Sequence, residues 1–336
     1  MFVDGEKREM NKLRVAVVGV GNLGRHHARV YSELADVELV GVVDMDQRRA
    51  EKVARRVGTE PYTRLRDITG KIDAVSVVVP TEAHREVAIE AFGRGAHVLL
   101  EKPIAMNTAE ATEVIDHARE KELVLQVGHI ERFNPAIAAL RKLLTRVGFI
   151  EVHRLAPFKK LASNVGVVLD LMIHDVDIIL NIVDSPIEEI RAVGIPVLSP
   201  SEDIANARIR FANGCTANIT ASRISFEKMR KIRIFQSNAY ISIDYQSQEG
   251  MVYRKKGTRI VREKLPMEKE EPLKLEIRSF LECVRSARTP VVPGEHGRHA
   301  LRVASEITRI LKENPLYREA IEEQKKSPKL DLRELL

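Results

Sequence analysis

Six residues, Gly19-Val20-Gly21-Asn22-Leu23-Gly24, constrain this chain more than any other stretch. They follow an apolar, β-branched run, Leu13 to Val18, and open a segment, Asn22 to Leu34, whose apolar residues recur at helical spacing. A strand that turns on glycines straight into a helix is the start of a βαβ unit. In the pattern G-x-G-x-x-G the first glycine permits the tight turn, the second lets backbone approach a pyrophosphate, and the third allows close helix–strand packing. A helix N-terminus then presents N–H donors and a favourable dipole to the phosphates. Gly19, Gly21, Asn22, Leu23 and Gly24 are therefore expected to bind a dinucleotide. Asp44 ends the next strand-like run, 20 residues past Gly24. A carboxylate there accepts hydrogen bonds from both ribose hydroxyls and repels a 2′-phosphate. Met45 and Asp46 follow it rather than an arginine, so NAD is expected over NADP, with Arg48 and Arg49 close enough to bear on that choice.

The same alternation continues. Val37 to Val43, Ala74 to Val79, Ala96 to Leu100 and Leu123 to Val127 read as buried strands; Gln47 to Val57, Glu82 to Phe92 and Thr108 to Lys121 read as helices. Strands apolar on both faces, separated by amphipathic helices, make a parallel sheet covered on both sides. Beyond Gly128 the texture changes. After a helical stretch, Phe133 to Leu144, short strand patterns crowd together between Ile150 and Arg254, with an Asn213-Gly214 hairpin signal, so an antiparallel sheet is expected there. Helices are expected at Val167 to Ile182, Pro272 to Ser286 and Arg298 to Lys312, and a charged loop at Lys264 to Glu271. The fold class is thus α/β: an N-terminal Rossmann doubly wound parallel sheet plus a C-terminal α/β domain with a large, mostly antiparallel sheet. At 336 residues two domains are the expectation. Residues 1–10 would be a flexible lead, 11–128 the dinucleotide-binding domain and 129–336 the second domain, whose last helices can pack back on the first.

Composition excludes several classes. Hydrophobic residues at 44% and charged residues at 30% describe a globular chain, and the net charge of +6 is spread thinly. No basic block with interleaved aromatics supports nucleic-acid binding. No apolar run is long enough to cross a bilayer, and the charged first residues carry no secretory signal. Cys215 and Cys283 cannot form a disulfide framework and lack metal-ligand spacing, so a cytoplasmic location is expected.

Two further constellations carry chemistry. Glu101-Lys102-Pro103 follows the strand ending at Leu100, and strand C-terminal ends are where open α/β sheets bind ligands. An ammonium there can hydrogen-bond a hydroxyl and stabilise a developing alkoxide; alone, the tripeptide reads first as a surface turn. In the segment Leu169 to Asp177, helical spacing puts Asp170, His174 and Asp177 on one face amid Leu171, Met172, Ile178 and Ile179. A carboxylate-oriented imidazole in an apolar wall suits proton transfer near neutral pH. Acids complementing a helix dipole, or a metal site of two carboxylates and one imidazole, fit the same residues.

The glycine fingerprint, Glu101-Lys102-Pro103 and the Asp170/His174 pair stand in the order and spacing of the Gfo/Idh/MocA oxidoreductases, which the chain resembles over nearly its whole length. Val79-Pro80-Thr81-Glu82-Ala83-His84 resembles that family's strand-end cofactor loop, and Gly294 to Ala304 its late helix start. The resemblance implies NAD bound by the glycine loop and Asp44 with Pro80, Thr81, His84, Glu101 and Lys102. It implies Lys102, Asp170 and His174 as catalytic residues, no metal, and a large sheet used to form a homodimer or homotetramer. Gly128 to Pro135 and Gly166 to Leu180 are most similar to the branch that oxidises the 3-hydroxyl of UDP-N-acetylglucosamine before an aminotransferase acts, in making a diamino sugar for lipid A. Arg132, Lys159, Lys160 and Asn164, with Asp170 and His174, are the expected substrate contacts. The chain departs from the family at Val165-Gly166-Val167-Val168-Leu169, where two adjacent glycines are usual. A free-sugar or polyol dehydrogenase, such as one for inositol, is the alternative within enzymes. A non-enzymatic NAD-binding regulator is the alternative outside them, although a binding module has no need of Lys102, Asp170 and His174 together.

Overall fold

The structure, a computed structural model, describes residues 12–158 and 165–326. It packs as two units: residues up to Gly128 together with Glu276–Glu295, and His129–Leu275 together with residues from His296 onward. The expected lead, 1–10, lies outside the described residues, as do Lys159, Lys160 and Asn164.

In the first unit, β1 (Leu13–Val18), β2 (Val37–Val43), β3 (Pro61–Tyr62), β4 (Ala74–Val77), β5 (His97–Glu101) and β6 (Leu125–Gly128) form one sheet in the order β3-β2-β1-β4-β5-β6. Every pairing is parallel. That order reverses between β1 and β4, the point at which doubly wound sheets open a crevice at their strand C-termini. The helices α1 (Gly24–Ser32), α2 (Gln47–Val57), α3 (His84–Gly93) and α4 (Thr108–Glu120) connect the strands. Local signals set their ends: the Asp46 and Asn107 side chains accept N–H groups of the first turns of α2 and α4, and Gly58 closes α2 at φ +70°. The returning segment seals the β6 edge. Val127 donates to the Val292 carbonyl at 2.9 Å, and Gly294 lies against Ile115 and Leu125.

The second unit contains α5 (Pro135–Arg141) and α6 (Ile173–Ile182) beside an eight-stranded sheet. Its strands are β7 (Val147–Leu155), β8 (Ile187–Ile195), β9 (Ile204–Phe211), β10 (Thr216–Ser222), β11 (Met229–Gln236), β12 (Tyr240–Asp244), β13 (Glu249–Lys256) and β14 (Arg259–Lys264). Only β7 and β10 pair in parallel, and the order is β14-β13-β12-β11-β7-β10-β9-β8. One face buries Ile150, Val152, Ile219, Ile232 and Ile241 against α6 and later helices; opposite positions carry a row of rings, Phe149, Phe235, Tyr240 and Tyr253. The chain then forms α7 (Pro272–Ser286), α8 (Gly294–Glu313) and α9 (Pro315–Lys326), of which α7 from Glu276 and the start of α8 belong to the first unit.

Three elements were not expected: the two-residue β3, the charged β14 and α9. The helix expected at Val167 to Ile182 begins with a π-helical turn, Val168–Met172, and only then becomes α6. No helix among the described residues is long and apolar enough to cross a membrane.

Candidate active site

The three glycines of the fingerprint answer to different demands. Gly19 sits at φ +85°, and a Cβ there would lie 2.5 Å from the Val78 carbonyl oxygen. At Gly24 a Cβ would lie 1.8 Å from the Gly19 carbonyl oxygen. Both are required by the protein's own packing. A Cβ on Gly21 meets no heavy atom within 4 Å. No described residue demands a glycine there, and the backbone is left open to close approach from outside. Asn22 and Leu23 are exposed in the turn, and no side chain caps α1. An open helix start and an open glycine face together fit a pyrophosphate.

Asp44, at the end of β2, is tied to this loop. Its Oδ2 accepts the Val20 N–H at 3.0 Å and its Oδ1 the Asp46 N–H at 2.9 Å. The half-exposed Arg49 guanidinium lies 3.2 Å and 3.3 Å from the two oxygens. The sequence left Arg49 as a neighbour; α2 brings it onto the acid, one turn past its Asp46 cap.

Beyond β4, Pro80 is exposed and Thr81 opens a 3-10 turn that leads into α3. His84 is buried, with Nδ1 2.8 Å from the Pro103 carbonyl and Nε2 3.0 Å from the Val79 carbonyl. Burial pushes its imidazole below the usual range. The ring thus straps the loop after β4 to the loop after β5. Glu101 is buried; its Oε2 accepts the Lys102 N–H at 3.2 Å and its Oε1 lies 3.2 Å from His27 Nε2. Burial alone would raise its carboxyl, but the hydrogen bond with His27, with Lys102 behind it, holds it below the usual carboxylate range. Lys102 is half-buried and joined to Pro103 by a cis peptide. The first unit therefore gathers Gly19 to Gly24, Asp44, Pro80, Thr81, His84, Glu101 and Lys102 on the C-terminal ends of adjacent parallel strands.

In the second unit Asp170 sits in the π-helical turn and His174 in the first turn of α6, both partly exposed. Single π turns widen a helix by one residue and re-aim the side chains beside them. His129 presents its ring edge-on to His174, with centroids 6.3 Å apart. Asp177, which helical spacing aligned with His174, is paired with Arg132: its Oδ1 lies 3.4 Å from an Arg132 Nη, with both side chains 3% exposed. Burial lowers the Arg132 guanidinium and the charge of Asp177 works against that.

Several residues escaped sequence reasoning. Arg154 donates to both oxygens of Asp175 at 2.7 and 2.9 Å and to Glu131 at 3.0 Å, all buried. His27, Ser76, Tyr31 and Glu276 line the interior behind Glu101. Their available signal was a polar residue on an apolar stripe: His27 falls between Leu23 and Val30, and Glu276 between Leu273 and Phe280. Among the described residues no group of His, Cys, Asp and Glu could hold a metal ion.

Comparison with known proteins agrees with this geometry. The Gfo/Idh/MocA profile, described as an oxidoreductase family with an NAD-binding Rossmann fold, matches residues 13–129, and the profile of the family's C-terminal domain matches residues 150–242. UDP-N-acetylglucosamine 3-dehydrogenase of Acidithiobacillus ferrooxidans is 36% identical over 89% of this chain and 97% of its own. A solved structure of that enzyme superposes with a TM-score of 0.85 at 35% identity, covering 90% of this chain and 98% of the other. The NAD(+)-dependent scyllo-inositol 2-dehydrogenase of Bacillus subtilis is 28% identical over 84% of this chain and 89% of its own.

Proposed function

The chain belongs to the Gfo/Idh/MocA oxidoreductases, with an NAD-binding Rossmann domain, and on that premise we propose that it oxidises the 3-hydroxyl of UDP-N-acetylglucosamine. The observation that carries the substrate is the 36% identity to the A. ferrooxidans dehydrogenase, which runs through both units rather than the cofactor domain alone. The inositol dehydrogenase relative, at 28%, gives the second reading, oxidation of a free polyol.

Gly21 and the open start of α1 receive the pyrophosphate, and Asp44 takes the ribose hydroxyls. A bound NAD would supply the acceptor for the hydride that leaves the carbinol carbon. Lys102 donates a hydrogen bond to the reacting hydroxyl and stabilises the negative charge that grows on its oxygen. His174 accepts the hydroxyl proton, which requires a neutral imidazole, and Asp170 holds the substrate or the proton network around it. Arg132, Lys159, Lys160 and Asn164 are the further substrate contacts in this reading, Arg132 through a guanidinium already anchored by Asp177. The product is a 3-keto nucleotide sugar, the substrate an aminotransferase needs on the way to a diamino sugar of lipid A. The reading places the protein in the cytoplasm, supported by two buried free thiols, Cys215 and Cys283. It also makes the protein a homodimer or homotetramer, supported by the ring row on the outer face of β7, β11, β12 and β13.

A substrate panel tests it. NAD should be reduced with UDP-N-acetylglucosamine and not with scyllo- or myo-inositol, and His174→Ala should lower kcat by ~10²–10⁴-fold while NAD affinity holds. Reduction with inositols alone overturns the substrate. NAD binding with no turnover across the panel turns the reading to a regulator.

A further inference from the structure

A row of buried polar side chains runs behind Lys102 and has no part in the chemistry above. Tyr31 Oη lies 2.8 Å from Ser76 Oγ, Ser76 Oγ lies 3.3 Å from His27 Nδ1, and His27 Nε2 lies 3.2 Å from Glu101 Oε1. Glu101 Oε2 then accepts the Lys102 N–H. The four residues come from α1, β4 and β5, and none is more than 9% exposed. Polar groups at that depth destabilise the fold unless each is satisfied, so the row has to be complete to be tolerated.

Counting hydrogens gives the row a direction. A Glu101 carboxylate only accepts, so His27 carries its proton on Nε2 and donates it. With the ring's hydrogen on Nε2, Nδ1 is left to accept, and the group facing it is the Ser76 hydroxyl. Having given its one hydrogen to His27, Ser76 accepts from Tyr31. Burial raises the Tyr31 phenol above its usual range, so Tyr31 keeps the hydrogen it gives. Every donor in the row points toward Glu101.

The groups that face Glu101 are His27 from α1, Glu276 from α7, His84 from the start of α3 and Lys102 beside it. Glu276 is fully buried, and neither of its carboxyl oxygens has a hydrogen-bond partner among the described residues. Burial, and then the charge of Glu101, push it well above the usual carboxylate range. Of the two acids, the surroundings favour the proton on Glu276 and the anion at Glu101, which alone of the two has a histidine and a backbone N–H against it.

We propose that His27 is a positioning residue for the oxidation: its Nε2–H keeps Glu101 anionic, and the anion fixes Lys102 through its backbone N–H and its charge. This rests on the assignment of the hydroxyl to Lys102. The first measurement is independent of turnover: nitrogen NMR of the full chain should find His27 as the Nε2–H tautomer at neutral pH. In assays with the active sugar, His27→Leu should lower kcat by about tenfold and leave NAD affinity unchanged. It should also raise the pH at which the Glu101 carboxyl protonates by about one unit, read by carbon NMR of that side chain, the shift expected when a carboxylate loses one charge-assisted hydrogen bond. His27→Gln, whose amide N–H can replace Nε2–H, should restore the lower value. If His27→Leu does not fold, Ser76→Ala should move it in the same direction by less. An Nδ1–H tautomer, or a fall in kcat with the Glu101 titration unmoved, overturns the proposal and leaves Lys102 in its role if Lys102→Ala is inactive. Full turnover by Lys102→Ala overturns both.

Discussion

The two units bury charge in opposite ways. In the second unit the Arg154 guanidinium is wrapped by carboxylates from Asp175 and Glu131, with Arg230 at the rim 3.6 Å from Glu131. Burial would lower that guanidinium, but the two carboxylates hold it firmly charged, and the cluster closes on itself. In the first unit two acids, Glu101 and Glu276, share an interior with His27, which pairs with only one of them. Burial and the charge of Glu101 both favour a proton on Glu276. The first arrangement is a strut and the second is a charge held ready for a neighbour. Complete pairing is the mark of a structural cluster, and an acid left without a cation is the mark of one with work outside itself.

The largest effect should come from breaking the strut. Arg154→Leu strands two carboxylates in the core of the second unit, and should cost about 3–5 kcal/mol in chemical denaturation. A loss below about 1 kcal/mol would mean the cluster is replaceable and the contrast empty. Next, Gly21→Val tests whether the first unit's openness serves a ligand. No described heavy atom lies within 4 Å of a Cβ there, so the melting temperature without cofactor should hold while NAD affinity falls by at least about a hundredfold. Retained affinity in a titration would make the glycine only a turn.

Glu276→Gln sharpens the contrast from the other side. A carboxyl raised in the folded state above its ordinary 4.5 stabilises the fold fully below that pH and loses its contribution as pH rises toward the folded value. The amide has no proton to lose. Its stability advantage over the wild type should grow from about pH 4.5 upward, and then level off. An advantage independent of pH would show that Glu276 is already ionised. The smallest effect concerns Asp44. Asp44→Ala removes the ribose acceptor and frees Arg49, so the preference for NAD over NADP should narrow by about tenfold. Wild-type turnover equal with both cofactors would remove the premise.

The same contrast governs what could be read before folding. Strands buried on both faces write continuous apolar runs, so β1, β2, β4, β5 and β6 stood out, as did the glycine loop between β1 and α1. The alternation of β9, with Ala205, Ala207 and Ile209 inward, was equally plain. Charge on an edge hid β14, since Arg259, Arg262, Glu263 and Lys264 protect an open strand and so disguise it as loop. The π turn is invisible to a search for helical period because it differs by one residue in a single turn. Lys102 and His174 were legible because they stand in motifs; His27 and Glu276 were not, because their meaning lies in a partner 74 residues away in one case and beyond the whole second sheet in the other. Asp177 was seen, but its pairing with Arg132 was not, since helical spacing knew nothing of that residue.

The return of Glu276–Glu295 to the first unit has a consequence for biosynthesis. A ribosome delivers β1 to β6 early, yet the backbone that seals β6 at Val127, the glycine that packs on Ile115 and Leu125, and the acid that shares Glu101's interior all arrive after His129–Leu275 has been made. Through that interval the nascent sheet carries an open edge and an unfinished interior. The cofactor domain, first to be written, is among the last to be completed, so no length of chain that stops short of residue 295 contains a finished one.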